Sequence, residues 1–98
     1  RRIDILMNNE EFENVNEYAN DIEIVLSGKF SSISGIGSAL FEMLSPYLGK
    51  ISVTYLNKVL KIRIKKIDNW IKDLETIVEC ITTLYKKYSK KGKHEQNN

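Results

Sequence analysis

The sequence predicts an α+β domain, a small antiparallel sheet with helices on one face, in the order (α)βαββα. Three observations predict it. Residues 50–65 divide into an apolar and a polar face only when folded as a two-stranded hairpin, residues 21–26 alternate as a strand, and residues 67–88 carry apolar side chains at three- and four-residue steps.

Along the chain, Ile3, Ile5 and Met7 alternate weakly with Asp4 and Leu6, a faint strand signal that Asn8-Asn9 breaks. From Glu10 to Asn20, Phe12, Val15 and Tyr18 or Ala19 recur at helical spacing with acids between them. A short helix is expected there, its acids placed where the helix dipole favours them. Residues 1–20 thus read as an acidic N-terminal segment, helical in part. Ile22, Ile24 and Leu26 then alternate with Glu23 and Val25 in a strand that Ser27-Gly28 ends. After a serine- and glycine-rich stretch from Ser31 to Ser38, the apolar run Ala39, Leu40, Phe41, Met43, Leu44, Tyr47 and Leu48 predicts a helix. It should stop near Ser45-Pro46 or at Gly49, because proline disfavours α geometry in the residue before it and glycine suits a C-terminal cap.

Residues 50–65 admit two readings, the start of one long helix or two strands. A helical heptad running back from the C-terminus buries Leu60, Ile64 and Ile67 but leaves Val59 and Ile62 outside. A two-residue turn at Asn57-Lys58 instead sets Leu56 opposite Val59, Tyr55 opposite Leu60, Val53 opposite Ile62 and Ile51 opposite Ile64. The other face then holds Thr54 with Lys61, Ser52 with Arg63 and Lys50 with Lys65. A slip of one residue destroys the division, so the register favours the hairpin. Asparagine accepts the positive φ that such a turn needs, and lysine is a poorer second residue than glycine. Beyond it, Asp68 is the candidate N-cap of a helix whose stripe runs through Ile67, Trp70, Ile71, Leu74, Ile77, Val78, Ile81, Leu84, Tyr85 and Tyr88. Residues 21–88 form the compact strand-helix-hairpin-helix domain, and residues 89–98 a polar, basic, solvated tail.

Composition narrows the function. The 98 residues suffice for one modest core and are too few for the two-part clefts of most cofactor enzymes. An apolar fraction of 42% and a charged fraction of 29% suit an ordinary soluble globular chain. No apolar run approaches the roughly 18 residues that cross a bilayer, and the sequence implies no membrane partner. The single Cys80 allows neither an internal disulfide nor a zinc cluster and points to a cytoplasmic setting. The net charge of +2 is unevenly spread: residues 1–49 carry three basic and eight acidic side chains, residues 50–98 twelve and five. Opposite halves either neutralise one another or offer the basic half to an anionic partner.

No constellation for catalysis stands out. The one histidine, His94, lies in the tail away from Cys80, no base is placed beside a serine or cysteine, and Cys80 sits at the edge of the helical stripe as a packed thiol would. No cofactor, metal or small-molecule substrate is expected. Gly35-Ile36-Gly37 begins like a dinucleotide loop, but Leu40 stands where the third glycine belongs.

From Ile22 to Tyr88 the order of elements resembles that of a KH domain: a first strand, a loop with Phe30 and Ile33, a glycine turn at Gly35-Ile36-Gly37-Ser38, a helix with Phe41 and Leu44, then Gly49-Lys50-Ile51-Ser52-Val53 opening a hairpin before the last helix. The resemblance implies a nucleic-acid backbone clamped at the glycine turn. Here Ser38 replaces the last glycine, Ser34 the apolar residue before the turn, and the turn lacks lysine and arginine. The same order also occurs in ferredoxin-like protein-interaction domains.

The leading expectation is a non-catalytic protein–protein interaction module, receiving a protein partner or a second copy at the sheet edges and at the hairpin tip residues Leu56 and Val59. The abrupt start at Arg1 adds the expectation that the chain belongs to a larger protein or assembly. The alternative is a KH-like binder of single-stranded nucleic acid, using Lys61, Arg63 and Lys65 on the outer hairpin face and Lys86, Lys87, Lys90 and Lys91 near the C-terminus.

Overall fold

A computed structural model describes the backbone of residues 8–97 and the side chains of residues 8–89. Strands β1 (Phe12–Glu17), β2 (Asp21–Leu26), β3 (Ile51–Leu56) and β4 (Val59–Lys65) form one antiparallel sheet in the order β1-β2-β4-β3. Helices α1 (Gly28–Ser31), α2 (Ile36–Met43) and α3 (Trp70–Asn97) accompany it, with a 3-10 turn at Ser45–Tyr47. The weak strand signal at residues 3–7 lies outside the described residues.

The α+β sheet is formed by strict alternation in its two central strands. On β2 the side chains of Ile22, Ile24 and Leu26 are buried, and on β4 those of Leu60, Ile62 and Ile64. Ile22 stands opposite Ile64 and Ile24 opposite Ile62, so the two strands present one continuous apolar face. Against it pack Phe30, Ile36, Leu40 and Leu44 from the connecting segment, and Leu74, Ile77, Val78, Ile81 and Leu84 from α3. Burying each such side chain is worth roughly 1.5–3 kcal/mol.

The hairpin has the register its alternation requires, from Ile51 opposite Ile64 to Leu56 opposite Val59. Asn57 and Lys58 hold φ of 53° and 65°, the two positive values of a type I′ turn. Burial nevertheless decays along β3. Ile51 is 6% exposed, Val53 is half-buried, and Tyr55 is 59% exposed although it lies on the same face.

Two local readings are corrected. Residues 12–17 are a strand, not part of a helix over Glu10 to Asn20. The reason is a bulge: Phe12 stands opposite Leu26 and Val15 opposite Ile24, so the pairing shifts between Phe12 and Asn14. One extra residue turns a three-residue spacing into a same-face spacing, which imitates helical periodicity. Helix α3 begins at Trp70, and the Asp73 N–H donates to the Asn69 carbonyl at 3.0 Å, so Asn69 rather than Asp68 stands at its start. Asp68 instead takes the left-handed φ of 50° that leads into the helix, a conformation aspartate tolerates better than most residues. The backbone of α3 stays helical through Asn97, past the apolar stripe, into residues expected as a tail; lysine, glutamate and glutamine sustain a helix that packing has already started. Ahead of α2, Gly28–Ser31 adds one helical turn. Ser27 caps the single turn of α1 by accepting from the Phe30 N–H at 3.3 Å, and that turn drives Phe30 into the core.

Candidate functional site

The outer face of the sheet, away from the helices, collects the charged half of each alternating strand. Arg63 lies there between Asp21 and Glu23, its guanidinium 3.0 Å from one carboxylate and 3.3 Å from the other, and 5.3 Å from the centre of the Tyr18 ring. The hydrogen bond to Asp21 leads the causes that raise its pKa further. Arg63 is therefore not a bare cation but the centre of a mixed cluster. Lys61 and Lys65 are exposed on the same face, and neither side chain forms an ion pair among the described residues. Leu56, 73% exposed, and the half-buried Val59 adjoin them and line a shallow hollow with Ser52, Thr54, Lys61 and Arg63.

The second basic group lies elsewhere. Lys86 and Lys87 are exposed on α3, which packs on the inner face, and Lys86 borders a hollow with Asn8, Asn9 and Glu10. Glu10 there accepts from Lys29 at 3.1 Å and from the Tyr85 hydroxyl at 3.2 Å, joining the start of β1 to α1 and α3. Its hydrogen bond is the leading cause that raises the Lys29 pKa, while burial and then Glu10 raise that of Tyr85. The structure thus places Lys61, Arg63 and Lys65 on one side of the sheet and Lys86 and Lys87 on the helical side. Lys90 and Lys91 continue the backbone of α3.

A concavity larger than either of these hollows lies apart from both basic groups. A groove of about 1270 Å³ opens between the segment from Gly28 to Ser45 and the distal, inner end of the hairpin. Ile33, Ile36, Phe41, Val53, Tyr55 and Leu60 line it, with Gly35, Gly37 and five serines around them. Among the described residues, Lys58 and Glu42 are the only charged side chains in its wall, one of each sign. Its shape follows from the chain. The Leu60 N–H, just past the last β2 partner of β4, donates to the Ser31 hydroxyl at 3.3 Å and pins α1 to the hairpin. Gly35, at φ +79°, then turns the chain sharply into α2, which ends at Met43. Small serines and glycines cannot reach Tyr55, and Phe41 is left 50% exposed at the rim.

This groove is what reading the strands one by one misses. The sequence placed Tyr55 on the apolar face but supplied nothing to cover it, while the wall opposite is rich in serines and glycines. That mismatch is the signal that points to an opening. Cys80 is half-buried, and burial first, then Glu79, pushes its thiol up, away from the thiolate that reacts. Among the described residues no group of three His, Cys, Asp or Glu side chains is placed to hold a metal ion. No described helix is long and apolar enough to cross a membrane. Comparisons with protein-family models, curated proteins and solved structures find no match to this chain.

Proposed function

We propose that this chain is a non-catalytic protein–protein interaction module, whose contact surface is the groove beside the distal hairpin together with the edge strand β3. The observation that carries the reading is the wall of the groove: apolar side chains including Phe41, Val53 and Tyr55, serine hydroxyls among them, and, among the described residues, one cation balanced by one anion. Apolar and aromatic contacts with a few polar groups around them are the chemistry of polypeptide recognition. Strand addition at β3 would supply the backbone hydrogen bonds that fix a partner's direction.

A second reading, a KH-like binder of single-stranded nucleic acid, is favoured by one feature. The glycine turn at Gly35 to Ser38 lies in the wall of the groove and Lys58 stands in the same wall. Against it, phosphate recognition draws on several cations, and Glu42 offsets the one present.

Two experiments separate the readings. Peptides selected from a random library should bind the groove, and Phe41→Asp, at a half-exposed position, should weaken them about tenfold without changing the circular dichroism spectrum, because a buried carboxylate finds no partner there. In mobility-shift titrations, single-stranded RNA and DNA should give no complex at low salt. A complex that weakens with salt and is lost in Lys61→Glu/Arg63→Glu would overturn the interaction module in favour of the KH-like reading.

A further inference from the structure

We propose that β3 pairs antiparallel with β3 of a second copy of this chain, across a two-fold axis through Val53, joining two four-stranded sheets into one; the inference rests on the reading of this face as a protein-contact surface. The phase of the hairpin defines what the edge offers. A two-residue turn makes Leu56 and Val59 a pair that exchanges both backbone hydrogen bonds, and the Lys65 N–H donates to the Lys50 carbonyl at 3.0 Å in the same phase. Positions 50, 52, 54 and 56 therefore face β4. Ile51, Val53 and Tyr55 turn their N–H and C=O groups outward, to the open side of the sheet.

One register satisfies all of them. With Val53 opposite Val53 of the second copy, Ile51 stands opposite Tyr55 of the second copy and Tyr55 opposite its Ile51. Each of these pairs lies in the phase that exchanges two hydrogen bonds, so every outward group of both copies is bonded. A two-fold centred one residue further along, on Thr54, leaves Ile51 opposite the turn and loses a pair. The side chains agree with the backbone. β3 reads Ile-Ser-Val-Thr-Tyr-Leu, with no charge, no proline and no bulge, so no like charges meet across the axis. The nearest cation, Lys50, is held by Asp73 at 3.3 Å and falls opposite Leu56 of the second copy. The axis stands perpendicular to the sheet and keeps the helices of both copies on one side. Tyr55, 59% exposed in the single chain, then lies against Ile51 of the second copy, with Phe41 bordering the seam.

Such a pairing buries less than a standard interface, so the dimer should be reversible, with a dissociation constant on the order of micromolar. Sedimentation velocity over a concentration series should show monomer passing to dimer. Val53→Pro removes an N–H that faces the edge and leaves the β4 ladder intact, and Tyr55→Lys puts a charge on the uncharged strand. Each should raise the dissociation constant at least about tenfold with unchanged circular dichroism; if the proline variant fails to fold, the lysine variant decides. In a Cys80→Ser background, Ser52→Cys mixed with Thr54→Cys should form a disulfide-linked dimer on oxidation, because these positions stand opposite one another, while neither should do so alone. A chain monomeric at every concentration, a dimer untouched by both variants, or self-cross-linking by Thr54→Cys alone would overturn the proposal. Peptide binding lost in Phe41→Asp, found in a strictly monomeric chain, would overturn this pairing and leave the interaction module standing. Nucleic-acid binding at Lys61 and Arg63 would overturn the module itself.

Discussion

β1 closes one side of the sheet with Glu13, Asn14, Asn16 and Glu17 and a bulge, whereas β3 closes the other with six uncharged residues in unbroken register. Both are outer strands of the same length on the same sheet, and both lie beside a central strand that buries three apolar side chains. They differ in what they present to another chain. Carboxylates and irregular pairing discourage a second strand, and β1 carries both. Its Glu17 also accepts from Lys66 at 2.9 Å, which ties the strand end back to the residue after β4. β3 has neither device, and it adjoins the apolar groove. The contrast teaches that an outer strand is not open by default: among the described residues one edge of this sheet is guarded, and the other has no guard.

The largest expected effect comes from detaching the guarded edge. Phe12 is 9% exposed and, with the half-buried Val15, supplies the inner face of β1. Phe12→Ala should cost about 3 kcal/mol, read as a fall in the midpoint of urea unfolding. Amides of β1 should then exchange with solvent ahead of those in β3 and β4, since the remaining sheet keeps its central strands. The new outer strand would be β2, which carries Asp21 and Glu23, and the variant should gain no self-association through that edge. If it associates through β2, charge is not what guards an edge here.

The legibility of these features differed for a physical reason. The β3–β4 register could be read because two alternating segments joined by a two-residue turn have one pairing that gathers Ile51, Val53, Ile62 and Ile64. β1 could not, because its bulge rephases Phe12 against Val15 and imitates a helix. The candidate cation Arg63 was visible as a charge, but its neutralisation by Asp21 and Glu23 depends on β2 lying beside β4, a pairing between segments far apart in the chain. The groove was hidden for the same reason. Phe41 and Tyr55 each look like core residues, and only the early end of α2 and the small side chains of residues 31–38 leave both exposed.

A middle-sized effect tests the outer face between the two edges. Arg63→Ala removes two carboxylate contacts and the stacking on Tyr18, while leaving Asp21 and Glu23 partly buried beside one another. Because the guanidinium side chain is 46% exposed, solvent and salt screen the pairs, and the loss of stability should be small at low ionic strength and smaller still at about 1 M salt. Chemical unfolding at the two salt concentrations measures it. A loss independent of salt would mean that Arg63 acts by packing its stem and ring contact, and that the outer face is held together without its charges.

The smallest effect concerns the turn that ends the open edge. Lys58 holds a φ of 65°, where a side chain costs roughly 1–2 kcal/mol relative to the ordinary helical region, and glycine avoids that cost. Glycine also gives the unfolded chain more freedom, which takes back part of the gain. Lys58→Gly should therefore stabilise the domain by about 0.5 kcal/mol, a rise of about 2–4 °C in Tm. The same substitution removes the only cation that the described residues place in the groove wall and touches no outward-facing backbone group of β3. Self-association measured by sedimentation should stay the same, and so should the affinity for apolar peptides. A more stable chain with weaker peptide binding would assign the lysine a direct part in recognition, and the groove would then select for an acidic partner residue at the hairpin tip.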